Sequence, residues 1–377
     1  MISVTICSPS PTFDEPWRDL ISRAPSNVFM DPVALTAATV TGFAKIYLLL
    51  AYEEGQTPRK LVGLWALRMR KIAPFWPAVL DALPYDYAFL STPVVDPRFM
   101  DDVICAFFAA IEKNAELPKV INVPSLEAES AASHAMMKAL RARGKHLKLS
   151  ENERPCVTRD FGLKRSGSTR KKLRQDWKRL STAGTVDVAN DRTPVAVRDA
   201  FETFLALEAC SWKGARGTAL LSDKDDAVFV RRLIGELAEQ GKASVALLRL
   251  DGRAIAAQVL MYCGATAYTW KTAFDAEYAR YSPGALLVDQ LTEALFSAPG
   301  IDAIDSCAVQ ESFMGQLWAG RRKMVDVLIH VGAGKSPAFA MEAGWQLAYR
   351  RLRELRNRLG AAAGTSRPKK NPVAVTN

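Results

Sequence analysis

Histidine is scarce in this sequence, and cysteine never occurs in the close pairs that bind metals. Three histidines (His134, His146 and His330) are present in 377 residues, and none lies at ligand spacing from another. The six cysteines are spread along the chain without a CxxC motif. Zinc sites need closely spaced ligands, and disulfide frameworks need paired cysteines in an oxidising compartment. We therefore expect neither a metal site nor disulfides.

Long apolar segments are absent as well. A membrane-spanning helix needs ~20 consecutive apolar residues, whereas the longest run here, around Ile46–Tyr52, has the length of a strand. Met1–Pro16 lacks the basic cluster and apolar block of a secretory signal. The sequence therefore predicts a cytoplasmic protein without a transmembrane segment. Its composition, 49% hydrophobic and 24% charged, is that of a globular enzyme, and its length favours two domains.

The net charge of +10 is concentrated in two segments. Lys164–Arg179 and Trp345–Asn377 each contain eight basic residues and one acidic residue, a net charge of +7 apiece. The rest of the chain must then carry about −4. The sequence thus predicts two local basic patches and no general attraction to polyanions.

Hydrophobic patterning predicts the same order of elements twice: three strands, a helix, a strand, a helix and a strand. In the first half these are Lys45–Glu53, Leu61–Arg70, Tyr87–Ser91, Pro97–Lys113, Lys119–Val123, Glu127–Arg143 and His146–Ser150. In the second half they are Ala243–Leu250, Ala254–Tyr262, Thr266–Ala273, Pro283–Ser297, Ile301–Ser306, Glu311–Ala319 and Met324–His330. The repeated order indicates a duplicated unit, although few residues match between the halves.

Four further helices have no counterpart in this scheme. Ser168–Leu180, Pro194–Cys210 and Asp223–Gln240 precede the second set of strands, and their apolar stripes predict core packing. The last helix, Pro337–Leu359, has several arginines on its other faces and an apolar stripe formed by Trp345, Ala348, Leu352, Leu355 and Leu359. It either lies on a membrane surface or docks on the body through the stripe, and we favour docking. Residues 360–377 have the composition of a disordered tail.

The start of the helix at Pro283 has the properties of an anion site. A strand, Thr266–Ala273, leads through a loop into Tyr281-Ser282-Pro283-Gly284 and the helix. The first amides of a helix lack internal acceptors, and the helix dipole favours negative charge there. Gly284 leaves room for a diphosphate, and the first acid, Asp289, lies nearly two turns further on.

The equivalent helix of the first half differs in charge. It begins at Asp96-Pro97 and carries Asp101 and Asp102 in its opening turns. Those carboxylates would occupy the positive end of the helix and repel a phosphate. If one half binds a phosphorylated cofactor, we expect it to be the second. The plainer interpretation is that Ser282-Pro283-Gly284 is only a capped helix start.

The second half resembles the CelD/BcsL-type acyltransferases of the GNAT superfamily, which are relatives of the FemAB-like transferases. The matching segments, spread over residues 150–330, are Thr169–Arg174, Phe204–Glu208, Ser211–Gly214, Gly217–Leu220, Tyr281–Gly284, Leu286-Leu287, Asp305–Cys307, Leu317-Trp318 and Arg321-Arg322. The first half is similar in layout only. One departure is that Tyr281–Gly284 stands where many GNAT enzymes have a glycine-rich Q/R-x-x-G-x-G/A turn. The donor could therefore be bound in a different geometry or be another activated acyl carrier.

The resemblance implies an α+β fold of two tandem GNAT-like mixed-sheet domains with flanking helices. We place an N-terminal domain, without cofactor, at 1–155 and an acyltransferase domain at 156–335, followed by the helix at 336–359 and the tail at 360–377. The implied activity is N-acyl transfer, with acetyl-CoA or another acyl-CoA as co-substrate. The implied acceptor is an amine of a small molecule, sugar or polysaccharide precursor. Nucleic acid is not an expected partner.

Residues for each role follow from this placement. The expected donor site consists of Trp270, Lys271, Thr272, Ser282, Pro283, Gly284, Ala285 and Leu286. A strand amide would bind the thioester carbonyl as negative charge develops on it. A carboxylate would take the proton of the amine, and we rank Asp305 before Glu208. Tyr281 or Tyr278 would protonate the departing thiolate.

The acceptor side has weaker signals. We assign Trp212, Lys213, Arg170, Lys171 and Arg174 to it, and Arg170 and Arg174 share one helix face. The basic segment would meet a CoA phosphate, an acidic acceptor or nucleic acid, or it is simply a solvated helix face. Two other functions remain open: a FemAB-like transferase that uses aminoacyl-tRNA, and a binding protein with an inactive GNAT core. The absence of a paired long amphipathic arm counts against the first.

Overall fold

The computed structural model of the chain describes residues 1–10, 14–55, 58–164, 167–309 and 311–363. Thirteen strands occur in these residues. They are β1 Ile2–Cys7, β2 Ile46–Glu53, β3 Lys60–Arg70, β4 Val79–Asp81, β5 Val94–Val95, β6 Val120–Glu127, β7 Lys145–Thr158, β8 Val186–Ala189, β9 Ala243–Leu250, β10 Arg253–Cys263, β11 Thr266–Phe274, β12 Ala303–Asp305 and β13 Gly320–His330.

Helices flank these strands. In the described residues they are α1 Asp14–Ile21, α2 Pro32–Val40, α3 Met100–Lys113, α4 Ala131–Arg143, α5 Ser168–Ala183, α6 Pro194–Ala209, α7 Trp212–Ala215, α8 Lys224–Glu239, α9 Pro283–Ser297, α10 Met314–Leu317 and α11 Pro337–Ala363. Their starts follow ordinary capping rules. Asp223, for example, accepts hydrogen bonds from the amides of Asp225 and Asp226 at the start of α8, and proline opens α2, α6 and α9.

The strands form one continuous sheet in the order β1-β2-β3-β4-β6-β13-β7-β12-β11-β10-β9-β8, with β5 paired to β3. Most neighbours are antiparallel. The parallel pairs are β4 with β6 and β11 with β12, one in each half. The order of one half mirrors that of the other around the central pair of β7 and β13, which agrees with the duplicated unit predicted from the sequence.

The two halves exchange their last strands. β13 of the second half lies between β6 and β7 of the first, and β7 lies between β13 and β12 of the second. The core is shared as well, because one apolar cluster contains Phe29 and Trp65 of the first half together with Phe204 and Phe229 of the second. The sheet therefore has no seam at which the halves separate.

Several predicted elements are wrong or too short. Tyr87–Ser91 is not a strand; the third strand of the first half is β4 at Val79–Asp81. The carbonyls of Phe89 and Leu90 accept hydrogen bonds from side chains of Arg154 and Asn27 instead of a neighbouring strand. β7 extends to Thr158, well beyond the predicted end at Ser150 and across the proposed domain boundary at 155. Of the tail predicted at 360–377, residues 360–363 end α11 and the others lie outside the described residues.

The docking predicted for the last helix is only partly correct. Ala343 is buried, and Arg350 donates to Asp326 Oδ2 of β13 at 2.7 Å. The predicted contact stripe, however, stays in solvent: Trp345 is 43% exposed, Leu352 66% and Leu355 54%. The helix rests on the body mainly through a different face, and most of its apolar stripe stays exposed. None of the helices in the described ranges combines the length and apolarity needed to cross a bilayer.

Candidate active site

The parallel strands β11 and β12 are paired only at their beginnings. Their ladder starts at Thr266 with Ala303 and ends where Tyr268 pairs with Asp305. β11 continues to Phe274 and keeps its other neighbour, β10, over that length. The edge of β11 beyond Tyr268 is therefore open on the side of β12. Ligands of α/β sheets commonly bind beyond the carboxyl ends of parallel strands, where such openings occur.

A β-bulge lies at the start of this open edge. Thr269 pairs with Leu260 and Lys271 pairs with Val259, so Trp270 has no partner on β10. A bulge disrupts the ladder and brings two consecutive side chains to one face of the sheet. Accordingly, Trp270 Nε1 donates to the carbonyl of Tyr87 at 2.9 Å, and Lys271 Nζ lies 4.6 Å from the centroid of the same Tyr87 ring.

The N-terminus of α9 faces the other side of β11. Ser282, the N-cap, has a left-handed backbone (φ 54°, ψ 48°), which is rare for a residue other than glycine. Its carbonyl accepts from the amides of both Ala285 and Leu286, at 3.0 and 3.1 Å. No acid occupies the first turn. A Cβ placed on Gly284 would lie 3.5 Å from Thr272 Cγ2, in the space between helix and strand.

Helix α5 brings basic side chains to this helix start. Lys172 Nζ donates to Ser282 Oγ at 2.7 Å and also pairs with Asp176. Arg170 is buried and binds Asp289 of α9. The Lys172 ammonium group therefore lies beside the positive end of α9, where a bound anion would interact with both.

Lys271 is held in an environment that weakens its charge. Burial lowers the pKa of Lys271 to about 8, although the carboxylates of Glu208 and Asp226 act in the opposite direction. Glu208 is itself buried: its Oε1 accepts from Lys213 Nζ at 2.8 Å and its Oε2 from the Leu220 amide at 2.9 Å. The structure thus brings together Lys271, Glu208 and Lys213, three residues predicted for separate roles.

Two members of this cluster were missed by the sequence analysis. The Tyr87 hydroxyl donates to the carboxylate of Asp226, in the first turn of α8. Burial and that carboxylate raise the pKa of Tyr87, and burial raises the pKa of Asp226. Tyr87 also lies in an aromatic group with Phe43 and Phe229. No motif indicates these contacts, because they join a loop of the first half to helices of the second.

Asp305 is enclosed by arginines from the exchanged strands. It is fully buried; its Oδ2 accepts from Arg322 Nη1 at 3.0 Å, and its Oδ1 lies 3.5 Å from Arg154 Nη1. Oδ1 also accepts from the Cys307 amide at 2.7 Å. Burial opposes the protonated form of Arg322, but Asp305 and Glu127 raise its pKa overall. Both carboxylate oxygens are thus engaged by the protein, and Asp305 is not presented to a ligand.

The other predicted residues surround these groups. Tyr281 is buried beneath Arg179 and Arg280, with the guanidinium carbons 5.9 and 4.8 Å from its ring centroid, and Tyr278 is partly exposed near Arg253. Lys171 and Arg174 are exposed on α5. Trp212 opens α7 and lies under Arg216, 5.0 Å from the guanidinium carbon. Arg170, which is bound to Asp289, is not presented to a ligand.

A separate cleft of about 320 Å³ lies at the opposite end of β11. Its lining includes Tyr262, Cys263 and Gly264, at the turn between β10 and β11, and Arg18 and Arg192. It is remote from Lys271 and from the start of α9, and it is not the site predicted from the sequence. Among the residues whose positions are given, no three metal-ligating side chains cluster.

A family comparison assigns the segment that contains this site. Residues 167–313 match the family model described as an acetyltransferase (GNAT) domain. The match begins at α5 and ends before α10, so it includes the open edge of β11 and the start of α9. It covers less than half of the chain. A search of curated protein sequences found no match.

Solved structures extend the likeness to both halves. FemX is 12% identical with a TM-score of 0.59, over 85% of this chain and 96% of FemX. The C-terminal domain of a putative lysylphosphatidylglycerol synthetase from Agrobacterium fabrum is 14% identical with a TM-score of 0.53, over 88% and 95%. L-PGS from Bacillus licheniformis is 15% identical with a TM-score of 0.53, over 90% and 97%. Identities this low establish the fold and not the function.

The chain therefore has a FemAB-like tandem GNAT fold, with a domain of the acetyltransferase type in its second half. This confirms the predicted fold class and the predicted likeness to GNAT and FemAB-like proteins. The narrower CelD/BcsL likeness, the domain limits and the individual site residues stay predictions.

Proposed function

We propose that the protein is an acyl-CoA-dependent N-acyltransferase whose second half holds the donor. The observation that carries this proposal is the open edge of β11, with its bulge at Trp270, beside an uncharged start of α9. The acceptor is an amine on a small molecule, a sugar or a polysaccharide precursor.

The donor diphosphate binds at the start of α9 in this proposal. Lys172 and the positive end of the α9 dipole supply its positive environment, and Gly284 places no side chain between α9 and Thr272. Lys171 and Arg174, exposed on the same basic helix, are available to the remaining phosphate of CoA. The acyl arm then runs along the open edge of β11.

Backbone amides at the bulge polarise the thioester carbonyl. A bulge leaves ladder groups unpaired, and an amide fixed at this position stabilises the oxyanion that forms during acyl transfer. The amine nitrogen attacks the carbonyl carbon, the carbon–sulfur bond breaks, and the thiolate leaves. Tyr281 or Tyr278 supplies the proton that the thiolate takes up.

Lys271 is the best-placed group to take the proton of the amine. Its amine is neutral in a large fraction of molecules near its pKa of about 8, as a general base requires. Glu208 keeps Lys213 in position beside it. Glu208 and Asp305 were our first candidates, but both oxygens of each accept hydrogen bonds from the protein. We therefore propose that these two carboxylates position neighbouring cations.

Transfer of an aminoacyl group from tRNA is the second candidate. The likeness to FemX and to lysylphosphatidylglycerol synthetase over nearly the whole chain favours it. The exposed basic face of α5 would suit an RNA backbone as well as a CoA phosphate. The chemistry at the bulge and at Lys271 would be the same for either donor.

Parallel binding measurements separate the candidates. Calorimetric titration with acetyl-CoA and longer acyl-CoAs is expected to give saturable binding, whereas filter binding of aminoacyl-tRNA is expected to give only weak, salt-sensitive retention. Binding of tRNA without binding of any acyl-CoA would reverse the order. Binding of acyl-CoA without acyl transfer to any amine in a panel of amino sugars and polyamines would favour a binding protein with an inactive core.

A further inference from the structure

Several large apolar side chains are exposed on α11 and a neighbouring loop. On α11, Met341, Trp345, Tyr349 and Leu352 follow one another at helical spacing and are 43%, 43%, 53% and 66% exposed. In the loop between β3 and β4, Phe75 is 99% exposed and Ile72 42%. We call Met341, Trp345, Tyr349 and Leu352, together with residues 72–76, the apolar platform.

A buried carboxylate holds the two parts of the platform together. Glu342 of α11 accepts from Arg70 at 2.7 Å, from Trp76 Nε1 at 3.2 Å and from Gln346 at 2.9 Å. Arg70 and the other groups lower the pKa of Glu342 although burial opposes this, so the carboxylate is charged at neutral pH. The rings of Trp76 and Trp345 also meet edge to face, 5.8 Å apart. The loop that carries Phe75 is therefore held against α11 by Trp76.

Basic residues border the platform. Lys71 lies in the loop, and Arg351, Arg353 and Arg356 are exposed on α11. Trp345–Asn377 has eight basic residues against one acidic residue. Exposed aromatic and aliphatic side chains flanked by arginine are the pattern of a helix that lies in the interface of an anionic membrane.

We propose that the apolar platform docks the protein on the surface of an anionic lipid bilayer. Phe75, Trp345 and Leu352 enter the interface, and the arginines of α11 contact acidic headgroups. A second copy of the chain is a less suitable partner for this surface. A two-fold contact through the apolar platform would bring the arginines of both α11 helices together, and their charges would repel. The proposal does not depend on acyl transfer.

Sedimentation of the full chain with vesicles tests this docking. We expect binding to phosphatidylcholine vesicles that contain phosphatidylglycerol, and at least about tenfold weaker binding to pure phosphatidylcholine. The double variant Phe75→Ser/Leu352→Ser should weaken binding at least about tenfold, since two apolar side chains no longer enter the interface. Val195→Ser removes a side chain that is 64% exposed on α6 and should have no effect.

A charge variant and an association measurement complete the test. Arg351→Gln/Arg356→Gln should weaken binding about tenfold and reduce its salt dependence, whereas Arg141→Gln/Lys224→Gln, with the same loss of charge elsewhere, should not. Thermal melts confirm that each variant is folded. The proposal is overturned if vesicles do not bind, if the platform variants bind like the wild type, or if ultracentrifugation shows a dimer that Leu352→Ser abolishes.

Discussion

The two halves of the sheet place opposite charges at corresponding points. In the second half, β11 leads to α9, whose first turn has no acid and whose N-cap is bound by Lys172. In the first half, β4 leads to α3, whose first turn holds Asp101 and Asp102. Asp96, just before α3, is bound by Arg23 and Arg98. One duplicated unit thus has an uncharged helix start, where we propose that the donor binds, and the other carries its own carboxylates there.

The strands that precede these two helices also differ between the halves. β4 has three residues and β11 has nine, so only the second half has a long open edge beyond its parallel ladder. Each half has one parallel ladder, and the last residue pairs of the two ladders differ. The pair is Asp81 with Asn122 between β4 and β6, and Tyr268 with Asp305 between β11 and β12. The comparison teaches that the fold alone does not define the proposed donor site; the length of one strand and the charge of one helix turn distinguish the two halves.

Asp305 provides the largest expected effect. Asp305→Ala would leave the buried Arg154 without its carboxylate and the half-buried Arg322 with Glu127 alone, at an expected cost of about 3–5 kcal/mol in the free energy of unfolding. Urea denaturation measures this. Asp302→Asn, which removes an exposed partner of Arg159, is the control and should cost less than about 1 kcal/mol. Equal effects would contradict the role given to the arginine pair.

Gly284→Asp would make the second half resemble the first. A carboxylate in the first turn of α9 should reduce acetyl-CoA affinity at least about 100-fold, or about 2.7 kcal/mol, while the helix dipole accommodates it. Calorimetric titration gives the affinity, and circular dichroism checks the fold. Gly284→Ala adds the same Cβ in ordinary contact with Thr272 but no charge, so it should bind more tightly than Gly284→Asp. Unchanged affinity in Gly284→Asp would refute this donor site.

Lys271 makes the stability of the second half depend on pH. Its pKa is about 8 in the folded chain and 10.5 in the reference state, so between these values the unfolded chain binds more protons. Stability should therefore rise with pH across that window, by about 1–2 kcal/mol after screening by solvent. Lys271→Met should remove this increment. Urea melts at pH 7.5, 9 and 10.5 compare the two proteins, and parallel curves would contradict the assignment.

Lys172 has the smallest expected effect. Lys172→Gln removes one partly solvated charge beside α9 and should weaken acetyl-CoA binding about fivefold, or about 1 kcal/mol. Lys178→Gln changes the same helix on another face and serves as the matched control. If both variants lose affinity equally, α5 acts on the donor only through its overall positive charge and not through Lys172 in particular.

Local patterns predicted much of this structure. The bounds of α9 agree with its predicted range, because Pro283 opens the helix and the apolar period continues to its end. The hydrophobic patterns also predicted that the two halves share the same order of elements. The difference in charge between the first turns of α3 and α9, at Asp101 and Gly284, could be predicted from the helix capping rules alone.

Long-range pairing could not be read from those patterns. The exchange of β7 and β13 depends on contacts between residues more than 150 positions apart, such as Arg322 with Arg154. The bulge at Trp270 is a property of register between two strands that both look regular. The sequence predicts Tyr87 as part of a strand. Its contacts in the Lys271 cluster arise from the packing of the two halves, which local patterns do not predict.

Strand exchange also constrains how the chain can be made. While the ribosome is still translating the second half, β6 and β7 lack the strand that will lie between them, because β13 ends only at His330. Open strand edges of this kind invite pairing with other chains. Nascent chains of this protein must therefore wait with an incomplete sheet until β13 has emerged, and the two halves then close in a single late step.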